Sequence, residues 1–164
     1  MRFAVTALLA ATVVMAAPTS ESSSENDSSQ TRTVWIGGRS KVSPATLRAN
    51  VGDKIEFHFL SGLHSVVEAN YFDPCQHNGG FASGYFSTIE RDHQNSQTFV
   101  ITIEDNSPIW YFDGAGTECM SGAVGVINPP NDGSRTLSGF KRAAKVESSS
   151  NSPSQFQGGS VIKN

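Results

Sequence analysis

Four positions in this chain carry residue types that could do chemistry together. The stretch PIWYFDGAGTECMSGAVGVIN, residues 108–128, holds carboxylates at Asp113 and Glu118 and one of only two cysteines, Cys119. Far upstream, His64 opens the apolar run HSVVEA. One imidazole and two carboxylates form a hard or borderline donor set, suited to Cu(II), Zn(II) or Mn(II) with water completing the shell. The competing reading needs no metal. Asp113 accepts a hydrogen bond from His64, which compensates a carboxylate that burial would otherwise penalise, and Glu118 faces water. The second reading is favoured, because a site with few ligands binds poorly unless it is pre-organised.

The other histidines have less to offer. His58 falls on the polar side of an alternating strand and is expected to face solvent. His77 (QHNGG) and His93 (RDHQN) sit among polar loop residues, where a histidine is ordinarily a surface group. Enzyme motifs are missing. There is no His-x-His pair for a multicopper oxidase, no Gly-x-Ser-x-Gly elbow, and no histidine at the expected mature N-terminus for a lytic copper monooxygenase. Asp113 and Glu118 share one short loop, a poor arrangement for a glycosidase pair. The expectation is a protein that is not an enzyme.

The elements that must position these residues are strands. Residues 33–36 are β-prone and closed by Gly37-Gly38, and Val42-Ser-Pro44 is a break. Residues 45–49 read as a short strand. Lys54 to Leu60 alternates, with Ile55, Phe57 and Phe59 on one face. Residues 64–68, 85–89 and 97–104 read as further strands, and residues 109–112 and 123–128 as the closing pair. Residues 70–84 read as a loop packed over one end of the domain. About seven short strands without a helical period predict an all-β, Greek-key barrel or sandwich over residues 33–129. Leu137, Phe140, Ala144 and Val146 have helical spacing and predict a short C-terminal helix within 130–147, which Gly139 weakens. Residues 148–164 are low in complexity and are expected to be disordered.

The N-terminus, MRFAVTALLAATVVMAAPTS, has a positive Arg2, a short apolar run and small residues at a cleavage site after Ala16. It is expected to be a secretory signal peptide, 1–16, followed by a disordered Ser-rich leader, 17–32. That leader contains the sequon Asn26-Asp27-Ser28, a glycosylation candidate. No other segment is apolar enough to span a membrane, and QFQGGSVIKN lacks the tail of a GPI signal. The net charge of −3, from 12 Lys and Arg against 15 Asp and Glu, gives no basic footprint for nucleic acid. Two cysteines in an exported chain are most simply one disulfide, Cys75 to Cys119. The expectation is an extracellular, secreted monomer.

Several separated motifs, in order, carry a family resemblance: Gly52-Asp53 before an alternating strand, His64-Ser65-Val66, Phe72-Asp73-Pro74-Cys75, Pro108-Ile109-Trp110, Cys119-x-x-Gly122 and Gly125-Val126-Ile127-Asn128. The chain resembles fungal extracellular cupredoxin-like proteins, the serine-rich relatives of phytocyanins. The resemblance covers the ordered region and includes the helix. It implies a Greek-key β-barrel with a type 1 copper site at one end. The phytocyanin pattern takes one His after the Gly-Asp turn, then Cys, His and an axial Met or Gln from the last loop. On this chain those positions fall at His64, Asp113, Glu118 and Ala123, and Cys119 follows the loop His position as the disulfide partner. The spacing survives and three of the four ligands do not. Asp113 and Glu118 are hard donors, Ala123 donates nothing, and Met120 falls beside the disulfide, so blue-copper electron transfer is expected to be lost.

The resulting expectation is a secreted, non-enzymatic module with no cofactor, acting on an extracellular glycan or protein partner. The former metal end, rimmed by Tyr71, Phe72, Phe81, Trp110 and Tyr111, is the candidate surface, although such aromatics also suit a core. The alternative is Cu(II) or Zn(II) capture through His64, Asp113 and Glu118.

Overall fold

The computed structural model describes residues 29–39, 41–89 and 93–163. The signal peptide, most of the leader and Asn26 lie outside the described residues. In chain order the elements are β1 (Thr31–Ile36), β2 (Val42–Ser43), β3 (Thr46–Leu47), β4 (Lys54–Phe59), β5 (Gly62–His64), β6 (Val66–Ala69), β7 (Ala82–Ser83), β8 (Phe86–Thr88), β9 (Gln97–Thr102), β10 (Ile109–Asp113), β11 (Val124–Ile127), α1 (Leu137–Ala144), β12 (Phe156–Gln157) and β13 (Ser160–Lys163). They form a five-stranded sheet, β13-β9-β4-β1-β2, a six-stranded sheet, β12-β7-β6-β10-β11-β3, and a small pair, β5-β8. The result is a sandwich rather than a closed barrel.

Alternation builds the space between the sheets. Ile55, Phe57 and Phe59 of β4 are fully buried against Phe99, Ile101, Tyr111 and Ile127. Phe59 stacks on Phe86 at 4.1 Å between ring centroids. The apolar run of β10 has a different cause, because that strand is covered on both faces. Tyr111 enters the core between the sheets, while Trp110 and Phe112 turn to the other face and pack with Val124, Val126, Phe140 and Ala144 under α1. The disulfide Cys75–Cys119 lies in that second core and spans 44 residues.

Helix α1 has the spacing read from the sequence but is shorter. The Thr136 hydroxyl caps it by accepting from the Gly139 N–H at 3.1 Å. Gly139 is there for packing: a Cβ at that position would meet the Tyr71 hydroxyl at 2.3 Å. Val146, expected on the apolar face, lies beyond the helix and is exposed.

The terminal segment corrects the expectation of disorder over 148–164. β12 pairs antiparallel with β7, and β13 pairs antiparallel with β9 across four residues, so the tail adds an edge strand to each sheet. Strand addition needs backbone N–H and C=O groups, not apolar side chains, and composition therefore hides it. The crossing between sheets uses Gly158 and Gly159, which lie against Phe81 and Phe99 where a Cβ would clash. Three boundaries also differ. The leader ends earlier than 32, because β1 starts at Thr31. The expected strand over 45–49 contracts to β3. The expected strand over 64–68 divides into β5 and β6 at Ser65, whose N–H and C=O bond to Asp113 Oδ1 and Gly114 N instead of a ladder partner.

Candidate functional site

His64 closes β5 and Asp113 closes β10, and the fold brings them together. β6 pairs with β10 in the register Val66 to Asp113, which places His64 and Ser65 at the end of that ladder. His64 Nδ1 lies 2.6 Å from Asp113 Oδ2. The other carboxylate oxygen, Oδ1, accepts from Ser65 N at 3.0 Å and Ala115 N at 3.1 Å. Asp113 is 1% exposed and has three donors, as a buried carboxylate requires.

The second ring nitrogen, Nε2, lies 3.2 Å from the Ser61 carbonyl. Both nitrogens therefore face acceptors, and only the doubly protonated imidazolium can donate to both. Burial alone would lower the His64 pKa. The Asp113 hydrogen bond and charge, the Ser61 carbonyl and the charge of Glu118 outweigh it and hold the group above its ordinary value. Room for the ring comes from Gly37, with φ +102° and a hypothetical Cβ only 2.5 Å from Nε2.

Residues 114–122 form a turn sealed by backbone bonds. Asp113 N donates to Ala123 O at 2.8 Å, and Ala123 N donates to Glu118 O at 3.0 Å. Ala123 is fully buried and serves through its backbone. Glu118 does not simply face water: its Oε2 lies 3.0 Å from Lys41 Nζ, with the two side chains 37% and 36% exposed. Its charge reaches His64. Among the described residues no three His, Cys, Asp or Glu side chains are grouped so as to hold a metal ion.

Several neighbours escaped the sequence reading. Ser152, in the tail read as disordered, hydrogen-bonds Ser65 at 2.8 Å, and its side chain lies against Gly114, so the tail crosses over the pair. Lys41 gave no signal, whereas Gly37 was visible as a turn residue. His58 is half-buried rather than solvated, 3.3 Å from Glu56 Oε1 and with its ring 4.6 Å from that of Trp35. Strand pairing leaves it under the tryptophan of β1. His77 Nε2 lies 3.1 Å from the Gly80 carbonyl. Met120 is partly buried against the second core.

The aromatic rim is a correction. Phe81 is 4% exposed and packs on Phe57 and Phe99 in the main core. Trp110 and Tyr111 are also buried. Tyr71 is wedged between Trp110 and Phe140 at ring distances of 4.7 and 6.0 Å. Only Phe72, at 88%, is a surface side chain. Tyr71 follows Ala69, which pairs with Trp110 at the end of the β6–β10 ladder away from His64. The set therefore does not rim the candidate site. Alternate residues of one strand served two cores, which a linear reading merged into one.

The fold is an all-β sandwich of two main sheets. No family model matches the chain. An extracellular serine-rich protein of Arthroderma benhamiae is 33% identical over 135 residues, covering 80% of this chain and 52% of that protein. The chain thus spans about half the length of that relative. Solved cupredoxins match at low identity: a purple cupredoxin from Nitrosopumilus maritimus (16% identity, 58% of this chain and 95% of that chain, TM-score 0.44) and a pseudoazurin from Methylobacterium extorquens (18%, 73% and 86%, TM-score 0.39). Cupredoxins of the blue-copper type need a thiolate, two imidazoles and a weak axial donor. Asp113, Glu118 and Ala123 supply none of these, and both nitrogens of His64 are engaged. The residues present do not fit a type 1 copper ion. Among the described residues no helix is long and apolar enough to cross a membrane.

Proposed function

We propose that this chain is a secreted, non-enzymatic cupredoxin-like protein without a blue-copper centre, acting as an extracellular binding or cell-surface interaction module. The observation that carries this reading is the engagement of His64. Its Nδ1 donates to Asp113 and its Nε2 faces the Ser61 carbonyl, so a proton bridge occupies the space a ligand set would share. The disulfide and the likeness to an extracellular relative support export.

A second reading, Cu(II) or Zn(II) capture by His64, Asp113 and Glu118, draws on the nearness of Glu118, whose charge helps raise the His64 pKa. It requires the metal to displace the proton between His64 and Asp113 and to pull Glu118 from Lys41. A Cu(II) titration of the mature protein, read by calorimetry and visible absorption, decides between the two. No stoichiometric binding is the expected result. One-to-one binding that His64→Ala abolishes would establish the second reading, and an intense thiolate–copper band would overturn both.

A further inference from the structure

At the opposite end of the β10–β11 hairpin from His64 lies a groove of about 600 Å³. Its walls come from the start of β1, the turn after β3, the β9–β10 turn and the segment after β11. They carry Arg32, Arg48 and Arg135 together with Asn50, Asn106 and Asn131, and no carboxylate. In a chain of net charge −3, three of the 12 basic residues share this one depression. It is a local clustering of guanidiniums, and its size is that of a small-ligand site.

Two of the guanidiniums are held in place from behind. Arg32 Nε bonds Asp53 Oδ2 at 3.1 Å, and Asp53 is itself buried, with Oδ1 on Gln30 N and Oδ2 on Asn50 N. Arg48 Nη2 donates to Asn131 Oδ1, a neutral partner that orients the fork without cancelling its charge. Arg135 feels the carboxylate of Asp132, which does not line the groove. The floor is closed by Asn128, whose side chain makes two bonds to the Ala49 backbone.

We propose that this groove binds a carboxylate-bearing sugar of the uronate class. Guanidinium forks match the planar geometry of a carboxylate. Asparagine amides both donate and accept, as sugar hydroxyls require. Pro108, Pro129 and Pro130 add apolar surface for the C–H face of a sugar ring. No aromatic side chain lines the groove to stack a base, which disfavours a nucleotide. The inference rests on the reading of the chain as a binding module and gives that reading a ligand class, at a site separate from the imidazole–carboxylate pair.

The test is calorimetric titration of the full mature chain with trigalacturonate, beside neutral maltotriose and inorganic phosphate. One-to-one binding of trigalacturonate is expected, weakening as salt is added. Arg48→Gln and Arg135→Gln should each weaken it about tenfold or more with unchanged melting temperature, and His64→Gln should leave it unaltered. Maltotriose should not bind. No heat with trigalacturonate, equal binding by both Arg variants, or equal competition by phosphate would overturn the proposal. The copper titration is read separately, so failure here leaves the copper-free reading standing.

Discussion

Two ion pairs flank the turn at residues 114–122, and they differ in almost every physical respect. His64–Asp113 is buried, only 2.6 Å apart, and wired to the backbone through Ser65 and Ala115. Lys41–Glu118 is over a third exposed and 3.0 Å apart. Both carboxylates stand where the family resemblance implies copper ligands. One has become part of the frame, while the other has become a solvent-screened surface charge. The two carboxylates are therefore physically unequal, and stability measurements should separate them.

The largest effect is expected at Asp113. Asp113→Ala strips the acceptor from His64 Nδ1, Ser65 N and Ala115 N at once and leaves a buried imidazolium unpaired. The expected loss is about 3–5 kcal/mol in denaturant unfolding. A loss below about 1 kcal/mol would break the comparison, because Asp113 would then behave as a surface charge.

Removal of the Cys75–Cys119 link comes next. It anchors the Glu118 turn to the core beneath α1 without involving either ion pair. The double variant Cys75→Ser, Cys119→Ser should lose about 2–4 kcal/mol by thermal or denaturant melting. If the His64 titration stays unchanged in that variant, the pair is positioned by β5, β6 and β10 and not by the turn.

These two features were also the most legible in the sequence. The pairing of His64 with Asp113 follows from the family resemblance, which sets both at ligand positions, and the disulfide follows from two cysteines in an exported chain. The strands β4 and β9 were readable from side-chain alternation, and β10 and β11 from their apolar runs. The tail was not, because β12 and β13 are joined by backbone groups that every residue possesses. Neither was the Lys41 bridge, since a contact across 77 residues leaves no local pattern. The aromatics misled because Trp110 and Tyr111, adjacent in sequence, belong to different cores.

The pH dependence sharpens the contrast further. The His64 pKa is raised in the folded state, so the imidazolium contributes its full stabilisation below the unfolded value of about 6.5. That contribution is lost as pH rises through the higher folded value. The melting-temperature advantage of the wild type over His64→Gln should therefore shrink as pH rises from about 6.5 through the folded value. A gap that widens with pH would mean that the neutral ring is the form the site prefers.

The smallest effect is expected at Glu118. Glu118→Gln removes an exposed partner of Lys41, and such bridges contribute roughly 0–1 kcal/mol. Its electrostatic reach should nevertheless remain measurable. Glu118 helps to hold the His64 pKa up, so the variant should lower that pKa while leaving the Asp113 hydrogen bond in place. An NMR titration of the His64 ring reads this directly, and added salt should shrink the shift because Glu118 is solvent-facing. A stability loss well above 1 kcal/mol would show instead that Glu118 belongs to the frame, and the distinction between the two carboxylates would fall.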